Sequence, residues 1–521
     1  MQTTSTGNIQ APGRSVGIED APRQKPWQTG LSGRALLDVA PLLLILLFTL
    51  AFRASQFGNP DVDFDEPFYL LVGERLLHGD IAYVDIWDRK PIGLFLIYAF
   101  AAAWPGDLFV DYLVLAALFA AATAWVIWKI GCRYVGRWTA VLPALFYVIW
   151  QEPFNGGGGQ SAIFYNLLTA LCAFLALHSG NESHVQARIR NGAAAMVLMG
   201  IAIQIKYIVL PEGIFFGCYF LWVLRRERTL MELLGIGAAY VAIALLPTIG
   251  VSLYYLAIGH FDAFFYANFL SVFDRGALVS DHVSDNLTYI LIAGLPLIVC
   301  GILGFVKLAS ERGVAGRDAP FLLGWAIATA AGFLMISNFY WYYFMPVILT
   351  LSVLMVPLLR STATGILAVL LLTIWPLWIS DTPSWSHTAD RKASIANLTA
   401  MIRPYVSPSR DCLYVFDGPS ALYLTSNSCL PTSYVYPDHL SNDVERTGLG
   451  IDAAAEMQRV LNSRPGAIVT AEKKVVPILN EANVRALDTA LRSDYRMIGR
   501  RRHGWRVIRV YARRDLVDGQ R

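Results

Sequence analysis

The sequence predicts a polytopic α-helical membrane protein with about eleven transmembrane helices and a C-terminal extracytoplasmic α/β domain. Hydrophobic residues make up 55% of the 521-residue chain and charged residues only 16%, whereas a soluble domain carries about 25% charged residues. The mean hydropathy of +0.46 points the same way. The formal net charge of +3 is too small to indicate a nucleic-acid partner. Apolar runs dominate before residue 381, and strand-like and helix-like segments follow it.

The N-terminal residues 1–34 are polar, with Gly, Pro and scattered basic residues, which is typical of a disordered cytoplasmic tail. A transmembrane helix needs about 20 mostly apolar residues. Segments close to this requirement predict a transmembrane domain over 35–380. Its predicted spans are 35–54, 108–130, 138–153, 161–179, 192–208, 209–224, 233–257, 287–308, 320–337, 340–359 and 363–380.

The apolar stretch 92–104 decides the orientation of these spans. It has only about 13 residues, so we interpret it as an interfacial or half-buried helix. If it does not cross, the basic loop residues face the cytoplasm, in agreement with the positive-inside rule, and if it crosses they move outside. These residues are Lys129, Arg133, Arg137, Arg188, Arg190, Arg225, Arg226, Arg228, Arg312, Arg317 and Arg360.

This orientation brings the loop 55–91, the loop 259–286 and the domain 381–521 to the same outer face. In the domain, CLYVFDG, GAIVT and WRVIRVYA have the pattern of strands, and IDAAAEMQRVLN and VVPILNEANVRALDTAL have helical spacing. Cys412 and Cys429 flank the first strand, and in an oxidising compartment they form either a disulfide or two free thiols. The basic segment GRRRHGWRVIRVYARR is either an exposed hairpin or a surface for anionic headgroups.

The loop 55–91 contains two charged clusters. VDFDEPFY holds Asp63, Asp65 and Glu66, and DIWDRKP comes just before the short apolar helix. Between them an amphipathic helix is predicted on the membrane surface, with one face formed by Phe68, Leu71, Val72, Leu76 and Leu77. Such a site suits transfer of a group from a lipid phosphate, because a carboxylate can take the acceptor's proton while cations hold the departing phosphate. The alternative is an ordinary solvated loop.

The segments DFDEPFYLLVGERLLHGD and DIWDRKPIG resemble the first outer loop of GT-C glycosyltransferases that use polyprenyl-phosphate sugars. They are most similar to the protein O-mannosyltransferase family (glycosyltransferase family 39) and the lipid A aminoarabinose transferases. The shared pattern is an Asp-Glu pair, a nearby Tyr, a glycine-containing helix and an acidic residue near Lys-Pro. The resemblance is specific over about 60–93 and loose to about 380. It implies a GT-C fold for the transmembrane domain.

The resemblance also implies roles for single residues. Asp65 matches the family's catalytic base, Glu66 its partner and Asp88 the acidic residue near Lys-Pro, so these three are the catalytic candidates. Lys90 matches the lysine that holds the lipid phosphate. Tyr69 is expected to line the substrate site.

Some positions depart from the family's pattern. Ile92 stands where a second proline is common, and Gln160 stands where the second outer loop often has an acidic residue. We therefore expect Gln160 to line the substrate site without supplying a carboxylate. Asp63 has no counterpart and should tolerate Asn. The segment 155–160, NGGGGQ, lacks the Gly-Lys-Ser/Thr of a phosphate loop and predicts a flexible turn that lets backbone approach a ligand.

Further phosphate and metal candidates lie at the ends of spans. Lys206 is expected to bind the donor phosphate, the alternative being a salt bridge with Glu212. Arg275 could clamp the same phosphate through paired N–H groups. His260 and Asp262 could bind a divalent metal, although their scattered spacing favours an ordinary loop.

The aromatic segment NFYWYYFMP is typical of an aromatic belt at the outer interface. By the resemblance, Tyr342 and Tyr343 in this segment also line the site.

The predicted function is that of an inverting glycosyltransferase of the inner or plasma membrane, active on the extracytoplasmic face. The donor would be a polyprenyl-monophosphate sugar, and the acceptor a glycan, lipid or protein. Membrane lipids are also expected partners, nucleic acid is not, and a divalent metal is the one cofactor considered. The alternative is a transporter or flippase of a lipid-linked sugar. Transporters place charges mid-membrane in broken helices with inverted repeats, whereas these carboxylates cluster in one outer loop.

Overall fold

The computed structural model describes residues 31–180, 182–276, 280–336, 338–380, 382–476 and 478–519. Most of the predicted disordered tail, residues 1–30, lies outside the described residues, and the first helix already begins at Leu31. The helices are α1 (Leu31–Arg53), α2 (Glu66–Leu77), α3 (Ile92–Ala102), α4 (Leu108–Gly131), α5 (Val141–Ile149), α6 (Ser161–Ser179), α7 (Val185–Ile203), α8 (Leu210–Leu224), α9 (Leu230–Ala257), α10 (Phe261–Phe265), α11 (Ser271–Asp274), α12 (Ser280–Ser310), α13 (Val314–Leu334), α14 (Met345–Leu354), α15 (Thr362–Ser380), α16 (Trp385–Ile402), α17 (Ala421–Ser426), α18 (Pro437–Ser441), α19 (Ala453–Asn462), α20 (Glu481–Ser493) and α21 (Arg514–Asp518).

The chain is an integral membrane protein by the length and apolarity of its helices, but the predicted count of eleven spans is not confirmed. Of the predicted spans that do not qualify, α5 has only nine residues, and α7 and α13 begin with charged residues that lower their hydropathy. Among the described residues, the eight stretches long and apolar enough to span a membrane are Asp38–Gln56, Leu108–Gly131, Ser161–Ser179, Tyr207–Leu224, Leu230–Ala257, His282–Ser310, Trp341–Arg360 and Thr362–Tyr405.

The buried centre of the membrane domain is formed by α4, α6 and α14. The apolar parts of α4 and α6 are each 67% buried, whereas that of α9 is only 6% buried. Along α9, Leu234, Val241 and Leu245 are exposed. An apolar helix with exposed side chains is expected to face lipid, so α9 lies at the periphery and α4 in the core.

The short apolar segment after the charged loop forms α3, as predicted. Its 11 residues span about 16 Å, too short for a hydrocarbon core of about 30 Å. Helix α2 forms at the predicted place, but the prediction that it has a single apolar face is wrong. Its residues from Glu66 to Gly73 are all buried, because α3 packs on one side and α17 of the C-terminal domain contacts the helix from another.

The C-terminal domain contains a four-stranded sheet. Its strands are β1 (Leu413–Val415), β2 (Ala467–Ala471), β3 (Tyr495–His503) and β4 (Arg506–Arg513). Their order in the sheet is β1-β2-β4-β3, with β1 and β2 parallel and the other pairs antiparallel. The predicted basic hairpin is present as β3 and β4, and helix α16 packs against β3. Cys412 and Cys429 form a disulfide.

The C-terminal domain is fixed to the charged outer loop by specific contacts. The backbone N–H of Trp87 donates to the Ser433 carbonyl at 2.9 Å, and the Ser433 hydroxyl donates to the Val84 carbonyl at 2.7 Å. At the other end of the loop, Asp61 lies 2.6 Å from His503 Nε2 and 3.0 Å from Arg391. The domain therefore covers the loop that holds the predicted site.

Candidate active site

A cavity of about 770 Å³ lies where the charged outer loop, the aromatic segment before α14 and the C-terminal domain meet. Acidic, basic and aromatic side chains from all three regions line it. Its lining residues are Asp63, Phe64, Asp65, Asp88, Arg89, Lys90, Asn155, Lys206, Arg275, His282, Asn286, Tyr340, Trp341, Tyr342, Tyr343, Tyr436, Asp438, His439, Glu445, Lys474, Val475, Val476 and Trp505. The cavity thus brings together predicted site residues from distant parts of the sequence. They are Asp65, Asp88, Lys90, Lys206, Arg275, Tyr342 and Tyr343.

Asp65 is a buried carboxylate at the start of α2 that accepts two tyrosine hydrogen bonds. The hydroxyl of Tyr436 donates to Oδ1 at 2.5 Å, and that of Tyr69 donates to Oδ2 at 3.0 Å. Burial acts to raise the pKa of Asp65, but the charge of Lys90, the hydrogen bond from Tyr436 and the charge of Lys206 outweigh it and lower the pKa. Asp65 is therefore ionised at neutral pH and can accept a proton.

Lys90 lies beside Asp65 and is held by Asp88. Its Nζ atom is 3.1 Å from Asp88 Oδ2. The same ammonium lies over the rings of Tyr69 and Tyr436, at 5.1 and 5.3 Å from their centroids. Burial acts to lower the pKa of Lys90, yet the charges of Asp88 and Asp65 raise it. Lys90 is therefore a permanent cation next to the carboxylate that lines the cavity.

Lys206 supplies a second cation to the same cavity. It follows α7, and its Nζ atom lies 4.5 Å from the ring centroid of Tyr343 and 5.3 Å from that of Tyr342. It forms no ion pair with any residue that the structure describes. The predicted alternative, a salt bridge with Glu212, is not formed, because Glu212 accepts hydrogen bonds from Trp325 and Thr329 instead. Lys206 is thus free to bind an anion.

Arg275 is already engaged by an acidic residue of the C-terminal domain. Its Nε atom lies 2.7 Å from Glu445 Oε1, and Arg89 lies 2.5 Å from Glu445 Oε2. Burial acts to raise the pKa of Glu445, but the two guanidinium groups lower it to about 2. This ion-pair network ties the C-terminal domain to the cavity wall. A phosphate clamp formed by Arg275, as the sequence predicts, would therefore have to use its Nη groups.

Asp63 lines the cavity, although no role was predicted for it. Its Oδ2 accepts a hydrogen bond from Gln160 at 2.9 Å. Burial, with the nearby charge of Asp65, raises the pKa of Asp63 to about 7. Gln160 and Tyr69 were both predicted to line the substrate site. In the described structure both lie behind the wall, fully buried, and each bonds to a carboxylate that does line it.

Glu66 lies apart from the cavity, against the glycine segment 156–159. It is fully buried, and neither carboxylate oxygen has a hydrogen-bond partner of ordinary geometry among the described residues. Burial and the charge of Asp63 raise its pKa to about 8. A Cβ on Gly158 would overlap the Glu66 carboxylate. Glu66, a predicted catalytic residue, therefore does not line the cavity that holds Asp65.

The glycine segment is not the flexible ligand-binding turn that the sequence predicts. The Arg53 guanidinium donates to the carbonyls of Gly156, Gly157 and Gly158 at 2.7, 3.3 and 3.1 Å. Tyr98 donates to the Gly159 carbonyl at 2.8 Å. The backbone does approach a cation closely, as the absence of side chains allows, but that cation belongs to α1 of the same chain.

A metal does not fit the residues predicted to bind one. His260 and Asp262 lie at the start of α10 and do not line the cavity. Within the described part of the chain, no group of three or more His, Cys, Asp or Glu side chains is arranged to hold a metal ion. We therefore derive no catalytic step through a metal.

Sequence reasoning missed the contribution of the C-terminal domain. Tyr436, Asp438, His439 and Glu445 all line the cavity from the segment around α18. Burial and the charge of Glu445 raise the pKa of Asp438 to about 7. The segment YVYPDH, aromatic with an acid and a histidine, was the available signal. Nothing in the sequence connects it with a loop more than 340 residues earlier.

Comparison with known proteins supports the fold and no closer relationship. No protein-family model matches the chain, and no curated protein matches it. The crystal structure of ArnT from Cupriavidus metallidurans bound to undecaprenyl phosphate superposes with a TM-score of 0.60 at 16% identity, covering 92% of this chain and 98% of that one. The apo state of the same protein matches with a TM-score of 0.60 at 17% identity over the same shares.

A more distant structure is similar as well. The archaeal oligosaccharyltransferase AglB from Archaeoglobus fulgidus, in complex with an inhibitory peptide and a dolichol-phosphate, gives a TM-score of 0.50 at 13% identity. The match covers 84% of this chain and 70% of the AglB chain. The predicted GT-C fold is thereby confirmed, and the match to ArnT extends over the C-terminal domain as well as the membrane helices.

Proposed function

We propose that the protein is an inverting glycosyltransferase that moves a sugar from a polyprenyl-monophosphate donor to a hydroxyl group of an extracytoplasmic acceptor. One observation carries the proposal: an ionised carboxylate, Asp65, lines the same cavity as a lysine without an acidic partner among the described residues, Lys206. A general base and an anion-binding cation are the two groups that this transfer requires.

The departing group needs charge stabilisation and no proton. The donor is a phosphodiester with one negative charge. When the bond between its anomeric carbon and the phosphate oxygen breaks, both bonding electrons leave with the oxygen and a phosphate dianion forms. Lys206 and Lys90 line the cavity, and their charges favour the dianion more than the monoanion. Interactions that strengthen as charge develops lower the barrier.

The acceptor hydroxyl needs a base. Asp65 takes its proton while the hydroxyl oxygen forms the new bond to the anomeric carbon, on the side opposite the departing phosphate. A single displacement of this kind inverts the anomeric configuration. The hydrogen bonds from Tyr436 and Tyr69 keep Asp65 ionised and fix its orientation, as a positioned base requires.

The structural neighbours support a lipid-phosphate donor. ArnT was crystallised with undecaprenyl phosphate, and AglB with a dolichol-phosphate. Both are polyprenyl phosphates, the lipid that remains after the proposed transfer. A transporter or flippase of lipid-linked sugars is the second candidate. The cavity favours the enzyme, because its carboxylates and lysines converge at one outer site beneath a folded domain.

The test is the fate of the donor lipid in cells. In a deletion strain, mass spectrometry of lipid extracts should show an accumulating polyprenyl-phosphate sugar and the loss of that sugar from one envelope glycan, lipid or protein. Expression of the wild-type protein in the deletion strain should restore the product, and expression of the Asp65→Asn variant should not. Restoration by Asp65→Asn would favour a transporter, because moving a lipid across the membrane needs no base.

The proposed location is the inner or plasma membrane with the site on the outer side. In intact cells, a membrane-impermeant maleimide should label Arg485→Cys on the C-terminal domain and should not label Arg226→Cys in a cytoplasmic loop. The parent chain, which has its own free cysteines, is the background control. Labelling of Arg226→Cys would contradict the orientation.

A further inference from the structure

A second, larger concavity lies on the C-terminal domain, between α16 and the β3–β4 hairpin. Its volume is about 1070 Å³. We call it the arginine groove. It is lined by His387, Asp390, Arg391, Ala393, Ser394, Glu472, Arg500, Arg501, Arg502, Gly504, Trp505 and Val507.

The arginine groove has an excess of unpaired positive charge. Arg500, Arg501 and Arg502 are consecutive and exposed, and none forms an ion pair with a residue in the described ranges. Of the two acidic residues in the groove, Glu472 is already paired with Arg509 at 3.0 Å, and Asp390 is exposed and balances at most one of the three arginines. Because side chains alternate along β3, Arg500 and Arg502 leave the strand on one face and Arg501 on the other. All three residues border the groove, and their guanidinium groups suit a ligand with several phosphate or carboxylate groups, because each can bind such a group through two parallel N–H donors.

The arginine groove adjoins the active-site cavity. Trp505, in the turn between β3 and β4, lines both. Trp505 is 61% exposed, so its ring is accessible to a ligand. The indole ring of Trp505, between the groove and the cavity, can stack on the apolar face of a sugar ring.

The hairpin that carries these residues is anchored to the catalytic loop. His503, the last residue of β3, is buried, and its two ring nitrogens lie 2.6 Å from Asp61 and 3.1 Å from Ser394. Gly504 follows with a φ of +58°, a backbone conformation that favours glycine. Arg391 also pairs with Asp61 at 3.0 Å. The arginine groove therefore has a fixed position relative to Asp65, as an extended substrate site must.

We propose that the arginine groove binds the acceptor, and that the acceptor is a carbohydrate chain bearing phosphate or carboxylate groups. The anionic groups contact Arg500–Arg502, the chain passes over Trp505, and its terminal hydroxyl reaches Asp65. The assignment of this ligand as an acceptor rests on the proposed transferase function. Binding of an anionic glycan to the arginine groove does not rest on that function. Glycan binding and sugar transfer can therefore be tested separately.

Direct binding is the decisive measurement, made on full-length protein in phosphatidylcholine nanodiscs without donor lipid. The probe is fluorescent hexagalacturonate, with neutral galactohexaose as the uncharged comparison. The test variant is the triple change Arg500→Gln, Arg501→Gln and Arg502→Gln, with Arg501→Gln alone as a milder variant. The control removes the same number of exposed arginines elsewhere on the domain, at Arg464, Arg485 and Arg492.

We expect the wild type and the control to bind hexagalacturonate and not galactohexaose. The triple variant should bind about tenfold more weakly or worse, since several charge-assisted contacts are lost. Arg501→Gln should fall between them. Equal binding by the triple variant and the control, or equal binding of the charged and neutral probes, would overturn the proposal.

Anionic lipid is the competing occupant. Nanodiscs containing phosphatidylglycerol should leave probe binding unchanged if the arginine groove takes a glycan. Suppression of probe binding by phosphatidylglycerol would instead show that the arginines contact headgroups, and would also overturn the proposal. Because no transfer is measured, a failed transferase assay leaves this result intact. A failed binding experiment likewise leaves the proposed chemistry at Asp65 untouched.

Discussion

Replacing Tyr436 with Phe should change the pH dependence of the transfer reaction while leaving the cavity's shape intact. The Tyr436 hydroxyl donates to Asp65 at 2.5 Å, and both groups are enclosed in the site. A hydrogen bond to a charged group contributes about 1.5–3 kcal/mol. Its loss should raise the pKa of Asp65 by about one to two pH units, since each unit corresponds to about 1.4 kcal/mol.

The direction follows from the role of Asp65. A base works in its ionised form, so activity is lost as pH falls through its pKa. In Tyr436→Phe the acidic limb of the pH–rate profile should therefore move upward by about one to two pH units. The rate at higher pH should change much less. Tyr69 still donates to Asp65, and Lys90 still lies beside it, so the carboxylate remains oriented.

The assay is sugar transfer by protein reconstituted in liposomes, measured from acidic to mildly basic pH with donor lipid extracted from deletion cells. Tyr434→Phe is the matched control. It lies in the same segment, but its hydroxyl contacts the Leu449 carbonyl at 3.4 Å and not Asp65. If the acidic limb of Tyr436→Phe coincides with that of the wild type, or moves downward, Tyr436 does not hold the base and the reasoning fails.

Three further changes test other parts of the site. Glu66, with its pKa raised to about 8 from 4.5, contributes stability that is complete below about pH 4.5 and is lost as pH rises through about 8. In the wild type the free energy of unfolding should therefore decline by about 1.4 kcal/mol per pH unit between these limits, and Glu66→Gln should remove this decline. The variant should show a flatter curve of melting temperature against pH. A curve like that of the wild type would contradict the burial of a neutral Glu66. Lys90→Ala should weaken donor-lipid binding and lower turnover, because its charge acts before and during the reaction; loss of turnover with unchanged binding would remove it from the phosphate site. Asp63→Asn should keep most of the activity near neutral pH, because the pKa of Asp63 is about 7 and Asn resembles its protonated form; inactivity would make Asp63 a second essential acid.

The pattern in the outer loop, together with its resemblance to a known family, was enough to predict several residues that line the cavity. Asp65, Asp88 and Lys90 come from one short stretch, where a carboxylate pair, a helix and a Lys-Pro element follow each other closely, and all three line the cavity. Lys206 could be predicted because an ionisable residue at the end of an apolar segment is costly and therefore informative. Site residues at the ends of spans and in such loops can be predicted from the sequence without knowledge of the tertiary structure.

What could not be predicted depends on contacts between distant parts of the chain. The bond from Tyr436 to Asp65 joins residues 371 positions apart, and the bonds of Arg53 reach carbonyls more than 100 positions away. The wrong interpretation of α2 has the same origin. Its apolar face suggested a membrane surface, whereas the second face is covered by a domain whose position no periodic pattern records.

The predicted count of eleven spans is not confirmed, and the reason is different. Helix α5 has nine residues, and α7 and α13 mix charged first turns with apolar bodies. Length and composition alone do not decide whether such helices cross a membrane, because neighbouring helices can bury their charged residues.

The measurement that tests the central claim most directly compares Asp65→Asn with the wild type in a reconstituted assay that follows donor binding and sugar transfer separately. Asp80→Asn is the control, an outer-loop carboxylate that pairs with Arg75 at 2.6 Å and does not line the cavity. If Asp65 is the base, Asp65→Asn should bind the polyprenyl-phosphate donor as the wild type does, while turnover falls by about 10² to 10⁴. Asp80→Asn should retain both. Full turnover by Asp65→Asn would contradict the assignment, and the carboxylates of VDFDEPFY would then have only a structural role.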